Sequence, residues 1–112
     1  MTTPLGQITT LSVYTQPQNA ATVLNVASAT VVKAAAGAVL AVNVVAAGTS
    51  NGTINDASSV ANSGTANVLA VINSGTSVTP GPLAAIPTAG WPVANGLVVN
   101  PGTGQIVSVL YR

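Results

Sequence analysis

The chain has 112 residues, of which 48% are hydrophobic and 3% are charged, and it contains no His and no Cys. This length suits one domain, and the apolar content is enough for a packed core, so the composition is not that of a disordered chain. A single acidic residue without His or Cys excludes Ser–His and Cys–His nucleophile pairs, two-carboxylate glycosidase sites and the usual zinc sites, so no enzyme, cofactor or metal is expected.

The N-terminal part of the chain divides into an arm and the start of the folded domain. Residues 1–7 contain Pro and Gly and are expected to form a flexible arm, so that the folded domain comprises residues 8–112. Residues 8–14 alternate loosely between apolar and polar side chains and predict a first strand. This strand ends at the Gln-Pro-Gln-Asn cluster of residues 16–19.

The next segments are rich in β-branched side chains, which favour strands. Residues 22–26 and 30–33 predict two short strands. Residues 38–45 are apolar at almost every position and predict a central strand that is covered on both faces. Residues 48–52 are Gly, Thr, Ser, Asn and Gly, a composition typical of a loop.

The middle of the chain alternates short strands with loops. Residues 53–55 and 67–72 predict strands. Between them, the Ala and Ser content of residues 56–65 allows a helical turn, but an internal Asn-Ser-Gly sequence favours a surface excursion. Residues 79–82 predict a loop, because neither of their prolines can donate a hydrogen bond to a sheet.

The C-terminal part contains a hairpin signal and the last strand. Asn95-Gly96 predicts a tight hairpin turn between strands at residues 91–94 and 97–99, with one continuous bulged strand as the alternative. Residues 105–111 predict the last strand, whose side chains alternate between two faces. One of these faces carries Val107, Val109 and Tyr111.

Together these segments predict one antiparallel β-sandwich, jelly-roll-like, with about seven or eight short strands. The sequence separation between the strands is short, and no apolar period of about 3.6 residues is sustained. This pattern favours antiparallel pairing over βαβ units.

The charged side chains are Lys33, Asp56 and Arg112. Asp56 has two interpretations. It forms an ion pair with Lys33 or Arg112, within the chain or across an interface, or it caps the following turn by accepting hydrogen bonds from backbone N–H groups. The cap is the commoner role for an Asp after a short strand, and it is the one we expect.

Trp91, Tyr111 and Tyr14 are the large side chains in a sequence without Phe. Trp91 stands between Gly90 and Pro92, where it is either an exposed anchor at a subunit interface or a filler of the sandwich core. The core is the expected place, because an aromatic side chain buries a large area and no Phe is available to do so.

The near absence of charge also bears on the partners. A net charge of +1 without a basic stripe predicts no nucleic-acid partner. The most apolar stretch, residues 34–47, is shorter than the roughly 20 residues of a membrane helix, so no membrane contact is expected. The neutral Thr-, Ser- and Asn-rich surface is either covered by neighbouring subunits in an assembly or is the solvent-exposed surface of a stable secreted domain. We favour the assembly, because interfaces are poor in charged residues and a fixed charge there would cost desolvation energy unless it were paired. The basic start of a signal peptide is also lacking.

Five segments, spread over residues 29–112, carry a resemblance to known proteins. They are Val31-Val32-Lys33-Ala34-Ala35-Ala36-Gly37, Gly52-Thr53-Ile54-Asn55-Asp56, Gly90-Trp91-Pro92-Val93-Ala94-Asn95-Gly96-Leu97-Val98-Val99, Gly102-Thr103-Gly104 and Val109-Leu110-Tyr111. With these segments the chain resembles small proteins encoded among the structural genes of tailed bacteriophages. The resemblance implies a virion component of the size of capsid cement or decoration proteins, some of which are jelly rolls. It assigns no binding residues, because these segments are turn signals without an assigned role.

The expected function is that of a capsid decoration or cement subunit. Such a subunit is a homo-oligomer on the capsid surface of the virion, where it bridges major capsid proteins and stabilises the head. The alternative is a tail- or fibre-associated module that binds a glycan receptor through loops rich in Asn and hydroxyl groups. A secreted adhesin domain is a third class, weakened by the lack of a signal peptide.

Overall fold

Strands and loops make up nearly all of the described residues, which are 20–74, 81–82, 86–87 and 90–112 of a computed structural model. The helical element of this part of the chain is a short 3-10 turn, Thr65–Asn67. The strands, in chain order, are β1 (Ala21–Val26), β2 (Thr30–Lys33), β3 (Gly37–Ala46), β4 (Gly52–Asn55), β5 (Val68–Ile72), β6 (Gly81–Pro82), β7 (Trp91–Val93), β8 (Leu97–Asn100) and β9 (Ile106–Tyr111).

The strands form two sheets that pack face to face. Sheet I has the order β1-β9-β3-β6, with β7 also paired to β3, and sheet II has the order β2-β8-β4-β5. Every strand pair of the described residues is antiparallel. The predicted all-β antiparallel sandwich is therefore confirmed, while its jelly-roll character stays a prediction.

The core lies between the sheets and takes alternate side chains from each strand. In β9, Val107 and Val109 are 0% and 1% exposed, and the intervening Ser108 is more accessible, as the predicted two-residue alternation requires. The cluster is aliphatic and consists mainly of β-branched residues, which suit a pleated surface. Its buried members are Val26, Val39, Val42, Val44, Ile54, Ile72, Val93, Leu97, Val99, Val107 and Val109.

Strand β3 lies in the interior of sheet I, as the apolar run predicts, but only one of its faces is covered. Val42 and Val44 point into the core and are 1% and 6% exposed. On the other face Ala41 and Asn43 are exposed, and Val45 is 43% exposed. The prediction that this strand is covered on both sides is thus wrong for residues 41–45, whose outward side chains are exposed.

The Asn95-Gly96 turn does not form the predicted hairpin. Strand β7 pairs with β3 in sheet I, whereas β8 pairs with β2 and β4 in sheet II. The residues between them therefore carry the chain from one sheet to the other, and both the hairpin and the single bulged strand are wrong. Gly96 is packed against the backbone: a Cβ atom there would lie 2.5 Å from the carbonyl oxygen of Ala57 and 2.6 Å from that of Lys33.

Residues 81–82 also differ from their prediction. Gly81 and Pro82 pair with Val44 and Asn43 of β3, so this part of the predicted loop is a two-residue strand. It lies at an edge of sheet I, where a proline is tolerated because its missing N–H faces away from the ladder.

The edge strands of both sheets, as the described residues form them, are irregular. Register shifts of the kind that a β-bulge produces occur in the pairing of β1, β2 and β5, the longer edge strands of the described residues. In β1 the shift coincides with Asn25, whose φ of 54° lies in the left-handed region. Bulges and prolines at edges oppose the addition of a further strand. Association through strand edges is therefore disfavoured compared with association through faces or loops.

Three expectations concern other parts of the chain. The arm of residues 1–7, the strand at residues 8–14 and the placement of Tyr14 lie outside the described residues.

Candidate functional site

The three charged residues lie at the same end of the sandwich. β2 ends at Lys33, Asp56 directly follows β4, and Arg112 follows β9. The antiparallel register brings these strand ends together, and Arg112 exchanges backbone hydrogen bonds of 2.8 and 3.0 Å with Ala38 at the start of β3. The structure thus concentrates the charge of the chain at one end.

Asp56 holds the connection between β7 and β8. Its carboxylate accepts hydrogen bonds from the backbone N–H groups of Ala94 (3.0 Å), Asn95 (2.8 Å) and Gly96 (3.3 Å). These donors, Ala94 foremost, hold the pKa of the Asp56 carboxyl below its ordinary value of 3.8, although partial burial acts in the opposite direction. Asp56 therefore caps a turn, but one that lies 38 to 40 residues further along the chain instead of the turn that follows it.

The two described aromatic residues lie on either side of one core valine. Val39 of β3 pairs with Trp91 of β7 on one side and with Tyr111 of β9 on the other. Both aromatic side chains are partly buried and pack against the core cluster. Trp91 is thus a contributor to the core that keeps part of its surface accessible.

A polar network covers the outward side of β4 and β8, the two central strands of sheet II. Asn55 points away from the core, because its neighbour Ile54 points into it, yet Asn55 is only 1% exposed. Its side-chain amide donates to the carbonyl oxygen of Gly64 (2.9 Å) and to Oδ1 of Asn67 (2.8 Å). Its Oδ1 accepts from Asn100 Nδ2 at 3.0 Å and from the hydroxyl of Thr53 at 2.7 Å. All the polar groups of this buried amide are therefore satisfied.

The network ties residues 56–67, which we call the cover segment, onto β4 and β8. Asn100 Nδ2 also donates to Ser63 Oγ at 3.2 Å, and Asn67 Nδ2 donates to the carbonyl oxygen of Asn62 at 2.8 Å. Val98 points outward, because its neighbours Leu97 and Val99 belong to the core, and it is nevertheless 0% exposed. The segment that was predicted to be a surface excursion is thus an irregular segment that packs on the outward side of sheet II.

The opposite end of the sandwich carries loops without charged residues. We call residues 47–51, 73–74 and 101–105 the neutral loop end. Thr49 N donates to the carbonyl oxygen of Thr103 at 2.8 Å, and Thr103 N donates to Ser50 Oγ at 2.8 Å. These bonds join two of the three loops to each other.

Gln105 links the third loop to this end of the sandwich. It is 0% exposed, and its Nε2 donates to the carbonyl oxygens of Ile72 (3.2 Å) and Asn73 (3.1 Å). Its Oε1 accepts from Gly102 N at 3.0 Å. Gly102 itself approaches Ser50 so closely that a Cβ atom would collide with the Ser50 carbonyl oxygen. The loops are therefore fixed to one another, whereas their outer groups remain exposed.

Sequence reasoning did not identify the residues that organise the polar network on sheet II and the neutral loop end. Asn55 and Gln105 occur in strand-like segments without a local motif, and their partners lie up to 45 residues away. A buried amide is identified by its surroundings, which a single sequence does not display. The Gly-, Thr-, Ser- and Asn-rich composition of residues 48–52 was the available signal for the neutral loop end.

Fold and site together define a small two-sheet β-sandwich with neutral, preorganised loops at one end and all its charged residues at the other. Comparison with protein-family models, curated proteins and solved structures finds no match for the chain. In the part of the chain that the structure describes, no helix has the length and hydrophobicity needed to cross a membrane. Nor do the described residues contain a group of three or more side chains of the metal-binding types His, Cys, Asp and Glu.

Proposed function

We propose that this protein is a non-enzymatic structural subunit of a virus particle that binds the major capsid protein as a decoration or cement subunit. The neutral loop end is the observation that carries the proposal. It presents exposed hydroxyl and amide side chains from three loops on a hydrogen-bonded base: Thr49, Ser50, Asn51, Asn73 and Thr103.

Such a surface suits binding to another protein. The loops are already ordered in the folded chain, so that association does not have to bear the entropic cost of ordering them. Their neutral groups contact a partner by hydrogen bonds and apolar burial, without the desolvation cost of an unpaired charge. Because almost no charges participate, the complex should resist high salt.

The resemblance to tailed-bacteriophage structural proteins supports a capsid as the partner. Two of the segments that carry the resemblance lie at the neutral loop end. One begins at Gly52, directly after residues 47–51, and the other begins at Gly102, within residues 101–105. For the glycan-binding alternative no described residue gives specific support, since the neutral loop end has no aromatic or acidic side chain. We therefore retain glycan binding as an outcome that the tests distinguish.

The first test is the copy number of the chain in purified virions of the virus that encodes it, measured by quantitative mass spectrometry. We expect a simple ratio to the major capsid protein, because a cement subunit follows the capsid lattice. A handful of copies per particle would place the chain at the neck, tail or fibres, and its absence from virions would reject the proposal.

The second test measures binding of the purified chain to capsids that lack it. We expect binding to persist in about 1 M salt, where the screening length is only about 3 Å. Thr103→Lys should abolish it by placing a charge in the interface. Thr65→Lys is the matched control, because Thr65 is also an exposed threonine but lies in the cover segment.

Two results would contradict the capsid proposal in this assay. Equal loss of binding in the two variants would separate binding from the neutral loop end, and release of the wild-type chain by salt alone would contradict a neutral interface. Binding of the purified chain to a glycan array, lost in Thr103→Lys, would favour the receptor-binding alternative instead.

A further inference from the structure

The outward side of β1, β9 and residues 41–45 of β3, which we call the open face, is free of charge and carries exposed side chains. The three strands that form it, β1, β9 and β3, contain no charged residue. Their outward side chains are small or aliphatic. They are Thr22, Leu24, Ala41, Asn43, Val45, Ser108 and Leu110.

The open face contains a shallow depression of about 140 Å³. It forms because Ala41 and Ser108 leave space beside the larger Leu110. An apolar cavity of roughly 150 Å³ accommodates a benzene molecule, so a volume of this size also accommodates the four-carbon side chain of a leucine. The residues that line it are Thr22, Ala41, Asn43, Ser108, Val109 and Leu110.

A leucine side chain protrudes from the same face. Leu24 is 67% exposed, more than the other exposed large apolar residues of the described chain. It lies next to Asn25, whose left-handed backbone allows its N–H to donate to Ser108 Oγ at 3.1 Å. This bond joins the bulge of β1 to a residue that lines the depression. The protruding leucine is therefore held close to the rim.

We propose that the open face binds a second copy of this chain across a twofold axis, with Leu24 of each copy in the depression of the other. A protrusion and a matching depression on one face are self-complementary under twofold symmetry, because each contact then occurs twice. The absence of charge from the face removes the repulsion that identical surfaces otherwise experience. This inference does not depend on capsid binding, which uses the neutral loop end.

The dimer is expected to be weak. Three strands about 4.8 Å apart and about 20 Å long give a footprint of roughly 300 Å², below the approximately 800 Å² per partner of a standard interface. Association should therefore be visible at high protein concentration and be favoured where many copies lie side by side.

Sedimentation equilibrium of the purified chain over a wide concentration range tests the proposal. We expect a monomer–dimer equilibrium whose dissociation constant rises at least tenfold in Leu24→Lys. It should rise similarly in Ala41→Leu, which fills the depression while adding apolar surface. Val71→Lys is the control, since Val71 is 47% exposed but belongs to sheet II.

The Ala41→Leu variant distinguishes the specific insertion of Leu24 from nonspecific hydrophobic association. Nonspecific hydrophobic association would become stronger in this variant, and that result would overturn the proposal. A chain that stays monomeric at the highest concentration would overturn it as well. If a cysteine introduced at position 24 is protected from alkylation in such a monomer, another segment of the same chain covers this position.

Cross-linking provides a second measurement, because the natural chain has no cysteine. A disulfide requires Cα atoms within about 7 Å of each other. Mixing the Leu24→Cys and Ala41→Cys variants should give a cross-linked dimer in much higher yield than either variant alone. Equal yields in the mixture and in the separate variants would contradict the reciprocal insertion of Leu24.

Discussion

The two outward faces of the sandwich begin from similar strands and end in different environments. Over the two central strands of sheet II, Val98 of β8 and Asn55 of β4 point outward and are 0% and 1% exposed, whereas Val71 of the edge strand β5 is 47% exposed. On sheet I, Leu24 and Val45 point outward and are 67% and 43% exposed. The difference does not follow hydrophobicity, since the polar asparagine is buried and the leucine is exposed. It follows the cover segment, which lies over one face and has no counterpart among the described residues over the other.

What holds the cover segment in place is a set of amides more than an apolar surface. Asn55, Asn67 and Asn100 saturate each other and the backbone of the segment. Each of these bonds contributes only about 1 kcal/mol, but leaving one buried partner unsatisfied costs about 1–3 kcal/mol. A face covered in this way is specific, because only a segment with the right partners can lie on it.

The largest expected effect on stability comes from disrupting the amide network under the cover segment. Asn55→Ala removes two acceptor and two donor contacts and leaves buried groups of the cover segment unsatisfied. We expect it to lower the free energy of unfolding by about 3 kcal/mol, measured by urea denaturation. The control is Asn43→Ala on the open face, where Asn43 is exposed and a loss below about 0.5 kcal/mol is expected. Equal losses in the two variants would show that the amide network does not support the cover.

A pair of valine substitutions compares the apolar contribution of the two faces. Val98→Ala removes two buried methyl groups under the cover segment and should cost about 2 kcal/mol from lost burial and the cavity that remains. Val45→Ala removes the same groups from the open face and should cost less than about 0.5 kcal/mol. Thermal unfolding of the two variants side by side measures the difference. If Val45→Ala costs as much as Val98→Ala, the open face is covered within the monomer.

The third prediction concerns Asp56, the first residue of the cover segment, whose carboxylate binds the connection between β7 and β8. Asp56→Asn weakens charge-assisted hydrogen bonds to Ala94, Asn95 and Gly96 and should cost about 1 kcal/mol near neutral pH, a value reduced for partial exposure. The folded-state pKa of this carboxyl lies below its ordinary value of 3.8. The contribution is therefore complete above that value, and it is lost as the pH falls through 3.8 and then through the lower folded-state pKa.

Urea denaturation at a series of pH values tests this sign. The wild-type chain should lose stability between about pH 5 and pH 2, whereas the Asp56→Asn variant should change much less over the same interval. Asp56 is the sole acidic side chain of the sequence, so its replacement isolates the effect. A wild-type chain that becomes more stable on acidification would contradict the depressed pKa.

The sequence predicted what depends on neighbours along the chain. The β-branched runs located β2 and β3 within about a residue of their observed bounds. Alternation in β9 placed Val107 and Val109 on one face, which the structure shows to be the buried one. It failed where distant groups decide. Asn95-Gly96 has a strong local hairpin signal, but pairing of β7 with β3 and the Asp56 carboxylate direct the chain to the other sheet.

The sequence also could not predict which of the two outward faces is covered, for the same reason. The outward sides of β3 and β4 each carry an asparagine, Asn43 and Asn55, of which only Asn55 is buried, so that residue type could not indicate which side a loop covers. The neutral loop end was partly predictable from its composition, but Gln105 acquires its role only from the approach of Ile72 and Asn73. Buried amides of this kind depend on tertiary contacts, for which a single sequence has no periodic signal.

The smallest expected effect tests whether the side chains of the open face are exposed in the monomer. Leu24→Ser exchanges an exposed leucine for a small polar residue, and at low concentration the monomer should unfold within about 0.5 kcal/mol of the wild type. Leu24 in the monomer gains little from burial, so little is lost with it. A loss above about 1.5 kcal/mol, the magnitude for a fully buried leucine, would mean that the monomer itself covers this side chain. The contrast between the faces would then vanish, because both would be closed by their own chain, and the exposed leucine would no longer be available to a second copy.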